Sequence, residues 1–138
     1  MKRFFLLTLA SAALLGASAA PVKTYEVKSP DGRLALVLTA GERLSFTVAR
    51  DGETLVAPSE MALTLSTGEV LGESPRVRSA RRRAVNETID APLYRQSRFD
   101  AAYNELDLRL RGDYGVLARA YDDGVCYRFY TERDGELT

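Results

Sequence analysis

The sequence predicts an all-β fold, an antiparallel β-sandwich. Three observations predict it. Apolar residues alternate with polar ones along most of the chain beyond its first twenty residues. Asp-Gly pairs and other reversal signals punctuate these runs at short spacing. No segment of the same region spaces its apolar residues three and four apart over two helical turns. One-sided alternation of this kind fits antiparallel sheets with one wet face.

The elements follow in order. Residues 1–19 read as a secretory signal peptide: Lys2-Arg3 is the positive start, Phe4 to Gly16 the apolar run, and Ala17-Ser18-Ala19 the small-x-small cleavage pattern. The apolar run is shorter than the roughly 20 residues of a spanning helix. The chain is therefore expected to be exported, periplasmic or extracellular, and free of the membrane after cleavage. Leu34, Leu36 and Leu38 share one face of a strand, and Leu44, Phe46 and Val48 share a face of the next. Met61, Leu63 and Leu65 repeat the pattern. A polar strand is expected from Val77 to Glu87, followed by a loop, because Pro92 interrupts any central strand there. Leu106 to Arg111 alternates without a fault, and Val125, Tyr127 and Phe129 line the last strand. Asp31-Gly32, Asp51-Gly52, Asp123-Gly124 and Asp134-Gly135 mark tight turns, since Gly accepts positive φ and Asp bonds its own backbone. Ala40-Gly41, Thr67-Gly68 and Gly112-Asp113 mark further reversals.

Composition narrows the chemistry. The 138 residues suit one domain, and 19 basic residues balance 19 acidic ones. Such a chain has no long-range field to gather nucleic acid. It contains no His, which removes the usual general base, the commonest metal ligand and any Ser/His/Asp triad. Cys126 is the one cysteine, so no internal disulfide or CxxC site exists. It is expected to be a small buried hydrophobe.

The remaining chemical candidates read as structural. Asp122 and Asp123 are adjacent beside a Gly and suit a turn, whereas glycoside hydrolysis needs carboxylates about 5–9.5 Å apart across a sugar. Glu105 is expected to be a strand-start residue bonded to backbone. The Arg81-Arg82-Arg83 run, with Arg76, Arg78, Arg95 and Arg98, reads as a solvated strand face, since no phosphate-binding loop accompanies it. Tyr127 and Phe129 are expected in the core, with Tyr121 and Tyr130 on the other face as weaker candidates for a contact surface. No catalytic, cofactor-binding or metal-ligating residue is assigned.

Several segments resemble the N-terminal domain of glycoside hydrolase family 97. They are Ser29-Pro30-Asp31-Gly32-Arg33-Leu34; Asp51-Gly52 followed by Pro58-Ser59 and Met61 to Leu65; Tyr103-Asn104-Glu105-Leu106; and Arg119-Ala120-Tyr121-Asp122-Asp123-Gly124-Val125-Cys126-Tyr127-Arg128-Phe129. Together they span about Tyr25 to Arg133. The resemblance implies a β-super-sandwich similar to galactose-mutarotase-type folds. It implies a parent enzyme that is a calcium-dependent bacterial α-glycosidase, an α-glucosidase or α-galactosidase of polysaccharide degradation. There, the resemblance implies, the N-terminal domain packs against a (β/α)8 barrel, which carries the catalytic carboxylates, helps to shape the pocket and can contribute to the calcium site. No catalytic or calcium-ligating position of the family is matched here. Asn104, Glu105, Arg119, Tyr121, Asp123, Gly124 and Arg128 are motif residues expected to be structural. Residues 20–138 are expected to be an incomplete N-terminal domain without catalysis of its own, its strand from Val125 to Thr131 presenting an open edge. The alternative is a stand-alone carbohydrate-binding or adhesion module of the bacterial cell envelope.

Overall fold

The computed structural model describes residues 21–90, 92 and 98–134. The signal-peptide reading of residues 1–19 lies outside the described residues, as does the Gly of the Asp134-Gly135 turn. All regular elements among the described residues are strands: β1 (Lys23–Lys28), β2 (Leu34–Ala40), β3 (Leu44–Arg50), β4 (Glu53–Glu60), β5 (Leu63–Thr64), β6 (Val70–Leu71), β7 (Val77–Asp90), β8 (Arg98–Leu110), β9 (Tyr114–Ala120) and β10 (Val125–Thr131).

Two antiparallel four-stranded sheets form the sandwich. The first runs in the order β1-β2-β3-β4 and the second in the order β10-β9-β8-β7. Every neighbour pair is consecutive in sequence, so each sheet is a meander, and only two residues separate β3 from β4. The turn chemistry explains the shortness. Asp51 and Gly52 both take positive φ, 52° and 86°, and join β3 to β4. Two successive positive φ values match the right-handed twist of the flanking strands.

Period-two alternation builds the core. Val27, Leu34, Leu36, Leu38, Leu44 and Val48 project inward from the first sheet, and Leu106, Leu108, Leu110, Val116, Ala118 and Ala120 from the second. Leu36, Leu38, Leu44, Leu106, Leu108, Val116, Ala118 and Ala120 are wholly buried. Each buried Leu contributes about 1.5–3 kcal/mol by leaving water. The small Ala118 and Ala120 on β9 let β1 and β2 approach that strand, against which both pack.

Three strands escape the periodic reading. β1 carries one buried residue, Val27. β4 is exposed almost throughout and contains Pro58, which is tolerated because β4 is the edge of its sheet. β9 points small Ala residues inward and Leu117 outward, so its hydropathy does not alternate cleanly. The strand expected from Met61 to Leu65 is reduced to the two residues of β5. Met61 is buried, but Leu63 is 43% exposed, and only Leu63–Thr64 pairs, with Val70–Leu71. The expected polar strand is longer than its pattern suggested. β7 runs for 14 residues to Asp90 and pairs along β8 from Arg98 onward. β10 pairs with β9 alone among the described strands, so Val125–Thr131 is a sheet edge as expected.

Candidate functional site

The second sheet has an outer face, turned away from the core, and its register determines what gathers there. Arg83 on β7 pairs with Glu105 on β8, which pairs with Arg119 on β9, which pairs with Cys126 on β10. One step along, Arg81, Asp107, Leu117 and Arg128 form the parallel row. Direct cross-strand neighbours stand close enough to bond side chain to side chain. Alternate residues of the strands that bury Leu106, Leu108, Val116 and Ala118 thus compose a charged surface on the opposite side.

Glu105 is the centre of that surface. Its Oε1 accepts a hydrogen bond from Arg83 Nε at 2.5 Å, and its Oε2 accepts one from Arg119 Nε at 2.8 Å. The residue is only 3% exposed, although it lies outside the core. Burial opposes its ionisation, but the hydrogen bonds and charges of Arg83 and Arg119 outweigh burial and hold its carboxyl below the usual value. Burial likewise opposes the charge on Arg119. Its bonds with Glu105 and Tyr121, and the neighbouring Tyr103, overcome that and raise its pKa.

Aromatic rings close the flank. The Arg119 guanidinium lies 4.5 Å from the centroid of the Tyr103 ring, and Tyr121 packs against the same ring at 4.9 Å. Tyr103 donates its hydroxyl hydrogen bond to Glu87 at 2.9 Å. Burial first, and then that bond, push the Tyr103 phenol up. On the other flank Tyr130 donates to Asp107. Burial first, and then the Asp107 bond, push its phenol up to about 12. Gly115 makes room for this ring, because a Cβ there would stand 2.5 Å from the Tyr130 hydroxyl. Asp107 also accepts from Arg109 Nε at 3.4 Å.

Arg83, Glu105, Asp107 and Arg119 border a groove of about 440 Å³, with Leu117 in its lining. Arg81, Arg82 and Arg128 also line it, and none has a carboxylate partner among the described residues; Arg82 donates instead to the Glu26 carbonyl. The groove thus joins a saturated clasp, Arg83–Glu105–Arg119, to guanidinium groups that no carboxylate neutralises, Arg81 and Arg128 among them.

The structure brings four of the seven motif residues, Glu105, Arg119, Tyr121 and Arg128, to this outer region. The others lie elsewhere. Asn104 faces the first sheet and donates its Nδ2 hydrogen bond to the Lys28 carbonyl at 2.8 Å. Asp123 and Gly124 form the β9–β10 turn, closed by the Tyr121 N–H donating to the Gly124 carbonyl at 2.8 Å. Asp122 is a turn residue as expected, and its Oδ1 accepts from the Asp31 N–H at 2.9 Å, tying the two sheets together at their turns.

Four expectations are corrected. Glu105 bonds two arginines rather than backbone, because two strands each deliver a cation opposite it. Arg83 of the arginine run is an ion-pair partner despite its exposure, and Arg82 faces the other way, donating to the Glu26 carbonyl at 2.9 Å. Cys126 is exposed, since the strand edge leaves its face uncovered. Tyr127 is 40% exposed, although its ring meets Phe46 at 5.1 Å across the sandwich. Tyr121 and Tyr130, by contrast, are engaged with Tyr103 and Asp107.

Among the described residues, no group of three or more His, Cys, Asp or Glu side chains is placed to hold a metal ion. No helix among them is long and apolar enough to cross a membrane.

Comparison with known proteins places this geometry in context. Residues 27–138 match the family described as Glycosyl-hydrolase 97 N-terminal. A retaining alpha-galactosidase of Bacteroides thetaiotaomicron is 38% identical over 110 residues, which are 80% of this chain and 17% of that protein. A glycoside hydrolase family 97 enzyme from Pseudoalteromonas sp. strain K8, solved in complex with acarbose, superposes with a TM-score of 0.73 at 19% identity. That superposition covers 83% of this chain and 19% of the enzyme. A beta-arabinopyranosidase superposes with a TM-score of 0.72 at 20% identity, over 80% of this chain and 18% of its own. The two superpositions show a shared fold. The chain spans less than one fifth of the length of each of these relatives.

Proposed function

The chain belongs to the Glycosyl-hydrolase 97 N-terminal family, and we propose that it serves as the non-catalytic β-sandwich domain of an exported α-glycosidase. In this reading it packs against the catalytic (β/α)8 barrel of the parent enzyme and helps to shape the active-site pocket. The observation that carries it is the extent of the match. The 110 residues shared with the Bacteroides alpha-galactosidase occupy 17% of that protein, and the family they match is an N-terminal one. What the chain contributes is therefore rigidity and surface. Its strands fix the position of a polar face, and its buried rows make that face stiff.

Calcium is proposed for the parent enzyme as a whole; among the described residues no group of three or more His, Cys, Asp or Glu side chains would hold it without ligands from elsewhere. Export rests on the charge, apolar run and cleavage pattern of residues 1–19. N-terminal sequencing of protein recovered from a bacterial periplasm checks it, with a mature start at Ala20 expected.

The test of the domain role is reconstitution. The Bacteroides alpha-galactosidase, produced without the segment that this chain matches, is mixed with the purified chain. Hydrolysis of p-nitrophenyl α-galactoside and of the α-glucoside is followed. The chain alone is expected to be inactive and to form a complex with the truncated enzyme that raises its activity or thermal midpoint. Hydrolysis by the chain alone would refute the non-catalytic reading. Measurable melibiose or maltose affinity, with no complex, would instead establish a stand-alone binding module.

A further inference from the structure

We propose that the outer face of β7–β10 is the surface on which the rest of the parent enzyme docks, with Arg81 and Arg128 receiving carboxylate side chains from it. The inference rests on the domain role proposed above and deepens it by naming the face and the chemistry of the partner.

Charge bookkeeping on the two rows carries the argument. Five arginines, Arg81, Arg82, Arg83, Arg119 and Arg128, line the groove with two carboxylates, Glu105 and Asp107, and Arg82 is turned to the first sheet, where it donates to the Glu26 carbonyl. Glu105 is fully used by Arg83 and Arg119. Asp107 is used by Tyr130 and Arg109. Arg81 and Arg128 are left without an acidic partner on the same row, at its two ends, with Asp107 and Leu117 between them. Strands stand about 4.8 Å apart, so the two arginines rise roughly 14 Å from one another. A guanidinium presents a planar fork of donors suited to a carboxylate, and its weak hydration makes it the cation of choice at interfaces.

The other face of the molecule lacks these features. On the first sheet the arginines are already paired: Arg33 with Asp51 at 2.8 Å, and Arg43 with Glu60 at 2.6 Å. Tyr103 and Glu105, both buried on the outer side of the second sheet, also stiffen the groove before anything binds. A rigid, polar face with two unmatched cations complements an acidic protein surface. More than four fifths of the Bacteroides relative's length lies outside the matched segment, in one polypeptide with it.

Calorimetric titration of the chain with the truncated Bacteroides enzyme tests this. The chain is compared with its Arg81→Glu/Arg128→Glu variant and with Thr47→Glu on the outer face of the first sheet. The double reversal is expected to weaken the complex about 30-fold or more and to lessen its salt dependence, while Thr47→Glu changes affinity less than about 3-fold. An unchanged affinity for the double reversal, with a complex still formed, would overturn the proposed face and leave the domain role standing. No complex with the unaltered chain would overturn both. A second measurement is independent of the truncated enzyme's folding. Acetyl-hexaglutamate amide is titrated into the full chain while arginine Nε–H resonances are recorded. Shifts are expected at Arg81 and Arg128 and not at Arg33 or Arg43; equal shifts at all four would overturn the inference.

Discussion

The two faces of the second sheet are made by alternate residues of the same strands, and they are held by opposite physics. Leu106, Leu108 and Leu110 look inward to a dry aliphatic core, while Glu105, Asp107 and Arg109 look outward. The inner face is cohesive without direction, so its energy scales with area removed from water. The outer face depends on partners at fixed register: Glu105 is buried only because Arg83 and Arg119 cover it from both neighbouring strands. A slip of one residue between strands would exchange the two faces. The pairing that packs the core therefore also assembles the ionic clasp.

Substitutions sharpen this contrast, and the largest effect is expected on the inner face. Leu108→Ala empties a site with no exposure and should cost about 2–5 kcal/mol in urea unfolding. Glu105→Gln leaves two arginines without their anion. Arg83 is 65% exposed and regains water, so the cost should be smaller, about 1–3 kcal/mol at pH 7.

The pH dependence separates these two variants. The folded-state pKa of Glu105 is depressed, so its contribution is fully present above the unfolded value of about 4.3 and is lost as pH falls through the folded value. Stabilities of wild type and Glu105→Gln should therefore converge as pH falls through the depressed folded value, whereas the Leu108→Ala deficit persists there. Tyr130→Phe should cost less still, about 0.5–1.5 kcal/mol. Its partner effect runs in the other direction: the raised phenol stabilises the fold below its unfolded value near 10, and that support is lost as pH rises toward about 12. The smallest effect is expected at Cys126, where Ser should change stability by less than about 0.5 kcal/mol. Because the thiol is exposed, a thiol reagent should modify it in the native protein nearly as fast as in urea.

The contrast also explains what was legible in the sequence. Leu34-Leu36-Leu38, Leu44-Phe46-Val48 and Leu106-Leu108-Leu110 announce themselves, because core burial is a property of one strand read alone. The sandwich class and the tight turns at Asp51-Gly52 and Asp123-Gly124 follow from the same local signals. The resemblance of the YNEL and Arg119–Phe129 segments to family 97 pointed to the family that the match over residues 27–138 establishes. The clasp was not legible. That Arg83 and Arg119 converge on Glu105 is a fact of register across three strands, 22 and 14 residues away in sequence. The exposure of Cys126 and Tyr127 belongs to the sheet edge, which no alternation within β10 reveals. Leu63 failed for a similar reason: its neighbours Met61 and Leu65 alternate, but the chain there pairs for only two residues.

The most direct measurement is a carbon-detected NMR titration of the Glu105 side-chain carboxyl in the intact chain. A midpoint below the ordinary glutamate value of about 4.3 is predicted, because two guanidinium groups outweigh burial. A midpoint at or above that value would show a buried carboxyl without its arginines and would contradict the strand register on which the outer face is built.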